Sequence, residues 1–118
     1  MEHELSAYYD ITHGVGLAIL TPHWMRHVLN EETAPKFREL AVNVWGVDAS
    51  LPTMEAAGLA IEKTAEYFKK MGIASTLTEV GIDDQLLEEM AEKVVPQLKY
   101  AYVPLTKEEI IEIYRAAL

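Results

Sequence analysis

All four histidines lie in the first quarter of the chain, and imidazole is the side chain best suited to metal binding and proton transfer near neutral pH. His23 and His27 are four residues apart, so on one helix they share a face and could chelate a transition metal. No third ligand is arranged around this pair, which favours ordinary surface or groove residues. His3 and His13 are separated by a predicted turn, an arrangement that can direct two imidazoles into one cleft.

Other catalytic patterns find no support in the sequence. The chain has no cysteine, which excludes a disulfide framework, a thiolate metal site and a cysteine nucleophile. No G-x-S-x-G elbow and no P-loop occur. The glycines of Gly14-Val15-Gly16 lack the third glycine and the preceding strand of a dinucleotide-binding fold. Two glycines at this spacing more often permit close helix packing.

The elements that position the histidines are predicted to be helical. A first helix is expected from Glu2 to Tyr9, and the turn Thr12-His13-Gly14 leads into a second helix that runs through Leu20. Pro22 is expected to kink or restart that helix, because proline removes a backbone donor and clashes with the preceding turn.

Four further helices are predicted from breakers and caps, giving about six in total. The third opens at Thr33 and ends at Gly46, and the fourth runs from Pro52-Thr53 to Gly72. The fifth, Gln85 to Val95, is expected to be capped by Asp83, and the last begins with the capping box of Thr106 and Glu109. Glu88, Glu89 and Glu92 are predicted to form a solvated face. Strand-like patterns are weak, and the best candidate, Tyr100 to Val103, is short and precedes Pro104.

Composition limits the possible partners. Ten Lys and Arg against nineteen Asp and Glu give a formal charge of -9, whose field repels phosphate backbones and anionic membranes. The 118 residues suit one domain, and no linker divides them. We therefore expect a single all-α domain over residues 1–118, a compact helix bundle with neither nucleic-acid nor membrane partners. The absence of a signal-peptide pattern at the start predicts a cytoplasmic location.

Residues 3 to 29 carry the most specific signal. The segments His3-Glu4-Leu5, Tyr9-Asp10-Ile11-Thr12-His13-Gly14, Ala18-Ile19-Leu20 and Pro22-His23-Trp24-Met25 closely resemble the signature of the iron-containing (group III) alcohol dehydrogenases, and the butanol dehydrogenase branch most of all. The resemblance continues more faintly through Val44-Trp45-Gly46 and the helix end at Gly72-Ile73. It extends to the tail from Pro104 to Tyr114.

The resemblance implies one half of a two-domain enzyme. Such enzymes join an N-terminal α/β domain that binds NAD(H) or NADP(H) to a C-terminal helical domain similar to that of the dehydroquinate synthase-like fold. A divalent metal, Fe or Zn, lies in the cleft between them, held by one Asp and three His. By this resemblance His13 is the last metal ligand, and the other three lie before Met1 in segments that this chain lacks. His3 matches a histidine beside the metal and nicotinamide, with a substrate or proton-relay role.

The resemblance also sets the expected partners. The substrate would be a small primary alcohol or aldehyde, the missing nucleotide-binding domain would be the main protein partner, and a homo-oligomer is possible. We expect the isolated chain to be inactive and to bind neither metal nor NAD(P) tightly, because one imidazole cannot hold the ion. No residue of this chain is expected to bind the nucleotide.

Two alternatives stay open at this point. The chain could be a free-standing, non-enzymatic interaction module, which would have a polar surface where a separated domain would show an apolar groove around His3, Tyr9, His13 and Leu17. It could instead be a metal carrier that uses His3, His13, His23 and His27. The carrier needs all four imidazoles to converge, which their spacing does not favour.

Overall fold

A computed structural model describes all 118 residues as six α-helices without a strand. The all-helical prediction is confirmed, and Tyr100 to Val103 form the end of a turn followed by bends instead of a strand. Two short 3₁₀ turns, Thr78–Val80 and Val95–Leu98, flank the fifth helix. The six helices are α1 (Glu2–Tyr9), α2 (His13–Val28), α3 (Ala34–Asn43), α4 (Thr53–Lys70), α5 (Leu87–Val94) and α6 (Lys107–Ala116).

Helix α2 is the central element of the bundle. It packs against α1, α4 and α6, while α3 packs on α4 and α5 on α6. A continuous core of 20 buried side chains joins these helices. The apolar faces predicted for α4 and α6 contribute to this core, as Ile61, Ile110 and Ile113 show with almost no exposed surface. Burial of these faces fixes the position of α2 and its histidines.

Pro22 does not restart α2. The helix continues through this residue to Val28, and the proline ring is itself buried. The lost backbone hydrogen bond is outweighed locally because Ile19, Leu20 and Met25 bury their side chains on either side of it. Burial against other helices therefore keeps α2 continuous at a proline where local sequence rules favour an interruption.

The helix ends agree only in part with the ends predicted from the local sequence. The α6 capping box forms as predicted, with the Glu109 N–H donating to Thr106 Oγ at 3.2 Å. At α5 the prediction is wrong, because Asp83 accepts from the Gln85 N–H in a turn and the helix begins only at Leu87. The helix before Gly46 ends earlier than expected, at Asn43. Gly72 follows α4 with φ +80°, a left-handed conformation that favours glycine.

None of the six helices combines the length and apolar character that a membrane span requires.

Candidate metal and proton-transfer site at the start of helix α2

The connection between α1 and α2 brings the two helix starts together. Asp10 ends α1 in the left-handed conformation, with φ 54°, and its N–H donates to the Ser6 carbonyl. The chain then runs back along α1, where the Ser6 hydroxyl lies 3.1 Å from the Ile11 carbonyl oxygen. Helix α2 starts at His13 beside the first turn of α1. Residues ten apart in sequence therefore share one site.

His3 and His13 lie face to face at this site. Their ring centroids are 5.1 Å apart with an interplanar angle of 26°, and both side chains are exposed to solvent. The structure thus brings together the pair that spacing alone could only suggest. Neither imidazole is enclosed by the protein, so both can reach a ligand that approaches from outside.

Glu2 completes the cluster, and the sequence reading missed it. Its side chain is only 2 % exposed, and its carboxylate contacts His13 Nδ1 through Oε2 and the Ser6 hydroxyl through Oε1. One potential ligand atom from each of Glu2, His3 and His13 lies within 4.8 Å of the others. A glutamate before a histidine is common, and only Ser6, four residues later on the same helix face, hints that Glu2 faces inward.

The exposed nitrogen of His13 has no protein partner. Because Nδ1 faces the Glu2 carboxylate, the remaining ring nitrogen, Nε2, is left for an external ligand. The side chain of His13 is 53 % exposed although its Glu2 partner is buried. Metal-binding histidines in proteins commonly bind the metal through one ring nitrogen and hydrogen-bond a carboxylate through the other.

Tyr114 fixes the segment that leads into the site. Its side chain is fully buried, and its hydroxyl donates to the Met1 carbonyl oxygen at 2.7 Å. Burial, with smaller contributions from Glu4 and Glu2, raises the pKa of Tyr114 above its usual value. The phenol therefore stays protonated and acts as a structural donor between α6 and α1.

The other two histidines lie away from this cluster. His27 Nε2 is 3.0 Å from Glu109 Oε2, and this contact holds the pKa of Glu109 below its usual range. His23 is half-buried, and burial together with the nearby Arg26 lowers its pKa. Neither residue joins a group of three metal-binding side chains. The four imidazoles therefore do not converge as a metal carrier would require.

An apolar groove lies beside the cluster. It has a volume of about 270 Å³, and six of its eight lining residues are hydrophobic. Leu17 lines the groove as the sequence predicted, whereas His3, Tyr9 and His13 do not. The complete lining is Met1, Glu2, Leu17, Leu20, Thr21, Trp24, Leu98 and Ala101.

The sequence and fold both match known dehydrogenases. The family model described as "Fe-containing alcohol dehydrogenase family, C-terminal" matches residues 1–118. The chain therefore belongs to this family. It is similar to NADH-dependent butanol dehydrogenase A of Clostridium acetobutylicum, with 50% identity over 118 residues that cover 98% of this chain and 30% of the relative. The chain therefore spans about 30% of the length of that relative.

Two crystal structures contain the same helical fold. That of a 1,3-propanediol oxidoreductase aligns with a TM-score of 0.88 and 30% identity, covering 99% of this chain and 31% of the other. That of NADH-dependent butanol dehydrogenase A from Thermotoga maritima aligns with a TM-score of 0.83 and 28% identity, covering 98% and 31% respectively. The predicted fold and the predicted family are both confirmed.

Proposed function

We propose that this chain is the C-terminal, metal-holding part of an NAD(P)-linked alcohol dehydrogenase that interconverts primary alcohols, such as butanol, and their aldehydes. Family membership supports the enzyme class. The 46–50% identity to two enzymes named NADH-dependent butanol dehydrogenase supports this substrate class and favours NADH. The remaining protein would supply the nucleotide-binding domain and the other metal ligands.

The observation that carries this proposal is the unpartnered Nε2 of His13 beside the exposed ring of His3. A neutral imidazole suits divalent iron or zinc, so the donor present fits the expected ion. With both groups bound, the metal would polarise the alcohol or carbonyl oxygen as a Lewis acid, and the nicotinamide would exchange hydride with the substrate carbon. His13 would be one ligand of that metal.

His3 is assigned to proton transfer. Oxidation of an alcohol releases the hydroxyl proton, and reduction of an aldehyde takes one up, so the site needs a group that exchanges a proton with solvent. The imidazole of His3 is exposed and stacks on His13 at 5.1 Å between ring centroids, which places it beside the metal ligand. It can therefore pass a proton between substrate oxygen and water.

The apolar groove supports the proposal that this surface is covered by another part of the complete enzyme. Six hydrophobic residues line it, and one of them is Leu17, around which a free-standing module is expected to have a polar surface. We assign the missing nucleotide-binding domain as the main protein partner of this part of the chain. An alcohol or aldehyde would then bind where the two parts meet.

The test joins this chain to the nucleotide-binding part of a relative. We would replace the matching segment of the Clostridium acetobutylicum relative with residues 1–118 and measure NADH oxidation with butyraldehyde. The joined protein is expected to be active. Its His3→Ala variant is expected to lose about 100-fold or more in kcat, because positioned acid-base groups contribute that much, while keeping its metal.

The control is the isolated chain, which is expected to oxidise no NADH under the same conditions. An inactive joined protein that folds and binds metal would contradict the proposed activity. A His3→Ala variant with unchanged kcat would remove the proton-transfer role of His3 alone.

A further inference from the structure

The carboxylate of Glu2 is buried in a way that needs an explanation. Glutamate is almost never fully buried unless it is paired, and this side chain is 2 % exposed. Both of its oxygens are used, one by the Ser6 hydroxyl and the other by His13 Nδ1. Glu4, on the same helix, instead accepts from the Gln97 side chain at 3.2 Å in a solvent-exposed contact. Of these two glutamates, only Glu2 is buried.

Gly16 makes the room that Glu2 occupies. A Cβ at Gly16 would lie 2.8 Å from the carboxyl carbon of Glu2, whereas a Cβ at Gly14 would meet nothing within 4 Å. Glycine is a poor residue for a helix interior, so its presence at this buried position of α2 has a steric reason. The first turn of α2 is therefore fitted to the glutamate side chain.

Two donors and one steric feature hold the carboxylate in place. It lies beside the first turn of α2, against His13 and the space left by Gly16. The Ser6 hydroxyl donates to its other oxygen. Together these contacts place one carboxylate next to Nδ1 of one imidazole.

We propose that Glu2 is a positioning residue that acts through His13. A carboxylate at Nδ1 accepts a hydrogen bond from the N–H of that nitrogen, so the neutral ring is held as the Nδ1–H tautomer with its lone pair on Nε2. The contact also fixes the plane of the ring. His13 is thereby prepared to bind a divalent metal through Nε2, and this last step rests on the proposed function.

The tautomer of His13 gives a direct test that needs neither metal nor activity. We would record long-range ¹H–¹⁵N spectra of the 118-residue chain at about pH 8.5, where an ordinary imidazole is neutral. The native chain is expected to show His13 as the Nδ1–H tautomer. Glu2→Ala is expected to shift it to the Nε2–H form that free imidazole side chains prefer, while Glu2→Gln keeps an acceptor oxygen and retains the native tautomer.

Matched variants separate this effect from charge and folding. Glu4→Ala removes the same charge from the same helix and is expected to leave His13 unchanged. Gly16→Ala displaces the Glu2 carboxylate and is expected to act like Glu2→Ala, whereas Gly14→Ala is expected to have no effect. A native tautomer in both Glu2→Ala and Gly16→Ala would overturn the inference, as would an equal shift in Glu4→Ala.

Zinc affinity of the joined protein tests the consequence for the metal. Loss of a residue that supports a metal ligand costs about 10- to 100-fold in affinity, so Glu2→Ala is expected to weaken binding by that factor and Glu2→Gln by less. Equal weakening by both variants, with the tautomer retained in Glu2→Gln, would make Glu2 a ligand and reject the positioning role. If the native joined protein bound no zinc, the proposed function would be wrong, and the tautomer would still decide the inference about Glu2.

Discussion

The two ends of α2 each pair a histidine with a glutamate, and they do so in opposite ways. At the start, the glutamate is buried, the contact is made through Nδ1 of His13, and Nε2 remains available. At the end, His27 uses Nε2 to contact Glu109, whose side chain is 37 % exposed. The first pair presents a nitrogen to an external ligand, and the second joins α2 to α6. The choice of ring nitrogen therefore separates a histidine that keeps Nε2 free from one that joins two helices, and this difference supports the role proposed for His13.

Metal affinity should differ most strongly between these two ends. In the joined protein, His13→Ala is expected to lower zinc affinity by more than about 100-fold, because removal of a ligand costs more than removal of its support. His27→Gln is expected to change it less than twofold, since its ring nitrogen is already bound to Glu109. Titration with a competing chelator measures both. A His27 effect as large as that of His13 would contradict the separation of roles.

Helix capping should also differ between the start of α2 and the start of α6, the helix that its other end contacts. Thr106 caps α6 through its hydroxyl, whereas Thr12, at the N-cap of α2, makes no side-chain cap hydrogen bond. Thr106→Ala is therefore expected to lower the free energy of unfolding by about 1 kcal/mol, a typical value for a lost cap. Thr12→Ala is expected to have almost no effect. Urea denaturation of the two variants makes the comparison, and equal losses would show that the start of α2 is capped in solution.

The smallest expected effect is a dependence of stability on pH at the far end of α2. The folded state lowers the pKa of His23 by burial and through Arg26, so below about pH 6.5 the unfolded chain takes up that proton first. Stability should then fall as the pH decreases from 7 to the lower pKa of the folded chain. His23→Gln is expected to flatten this part of the profile, measured by thermal unfolding at several pH values.

The contact between Glu109 and His27 is expected to affect the pH dependence of stability in a lower pH range than His23 does. The pKa of Glu109 is lowered mainly by His27, so this contribution is present above the unfolded glutamate pKa and is lost at more acidic pH. Glu109→Gln should therefore lower stability by a constant amount above about pH 4.5 and change the slope of the profile only below that pH. An equal effect of both variants in the same window would contradict the assignment.

Local chemistry predicted much of the fold but little of the site. The capping box at Thr106 was found because all its parts lie within four residues, and the apolar faces of α4 and α6 follow from helical spacing. The restart predicted as one alternative at Pro22 does not occur, because burial against other helices keeps the helix continuous. The role of Glu2 depends on a contact with His13 eleven residues away, for which the sequence contains no local pattern.

The fit between Gly16 and Glu2 restricts the order in which this site can change during evolution. A larger residue at position 16 is blocked while the glutamate side chain remains in place. Replacement of Glu2 by a smaller residue removes that barrier, after which the helix can accept the better helix former alanine at position 16. The two positions are therefore coupled: alanine at position 16 displaces the carboxylate from His13 while Glu2 is present, and it has no such cost once Glu2 has been replaced.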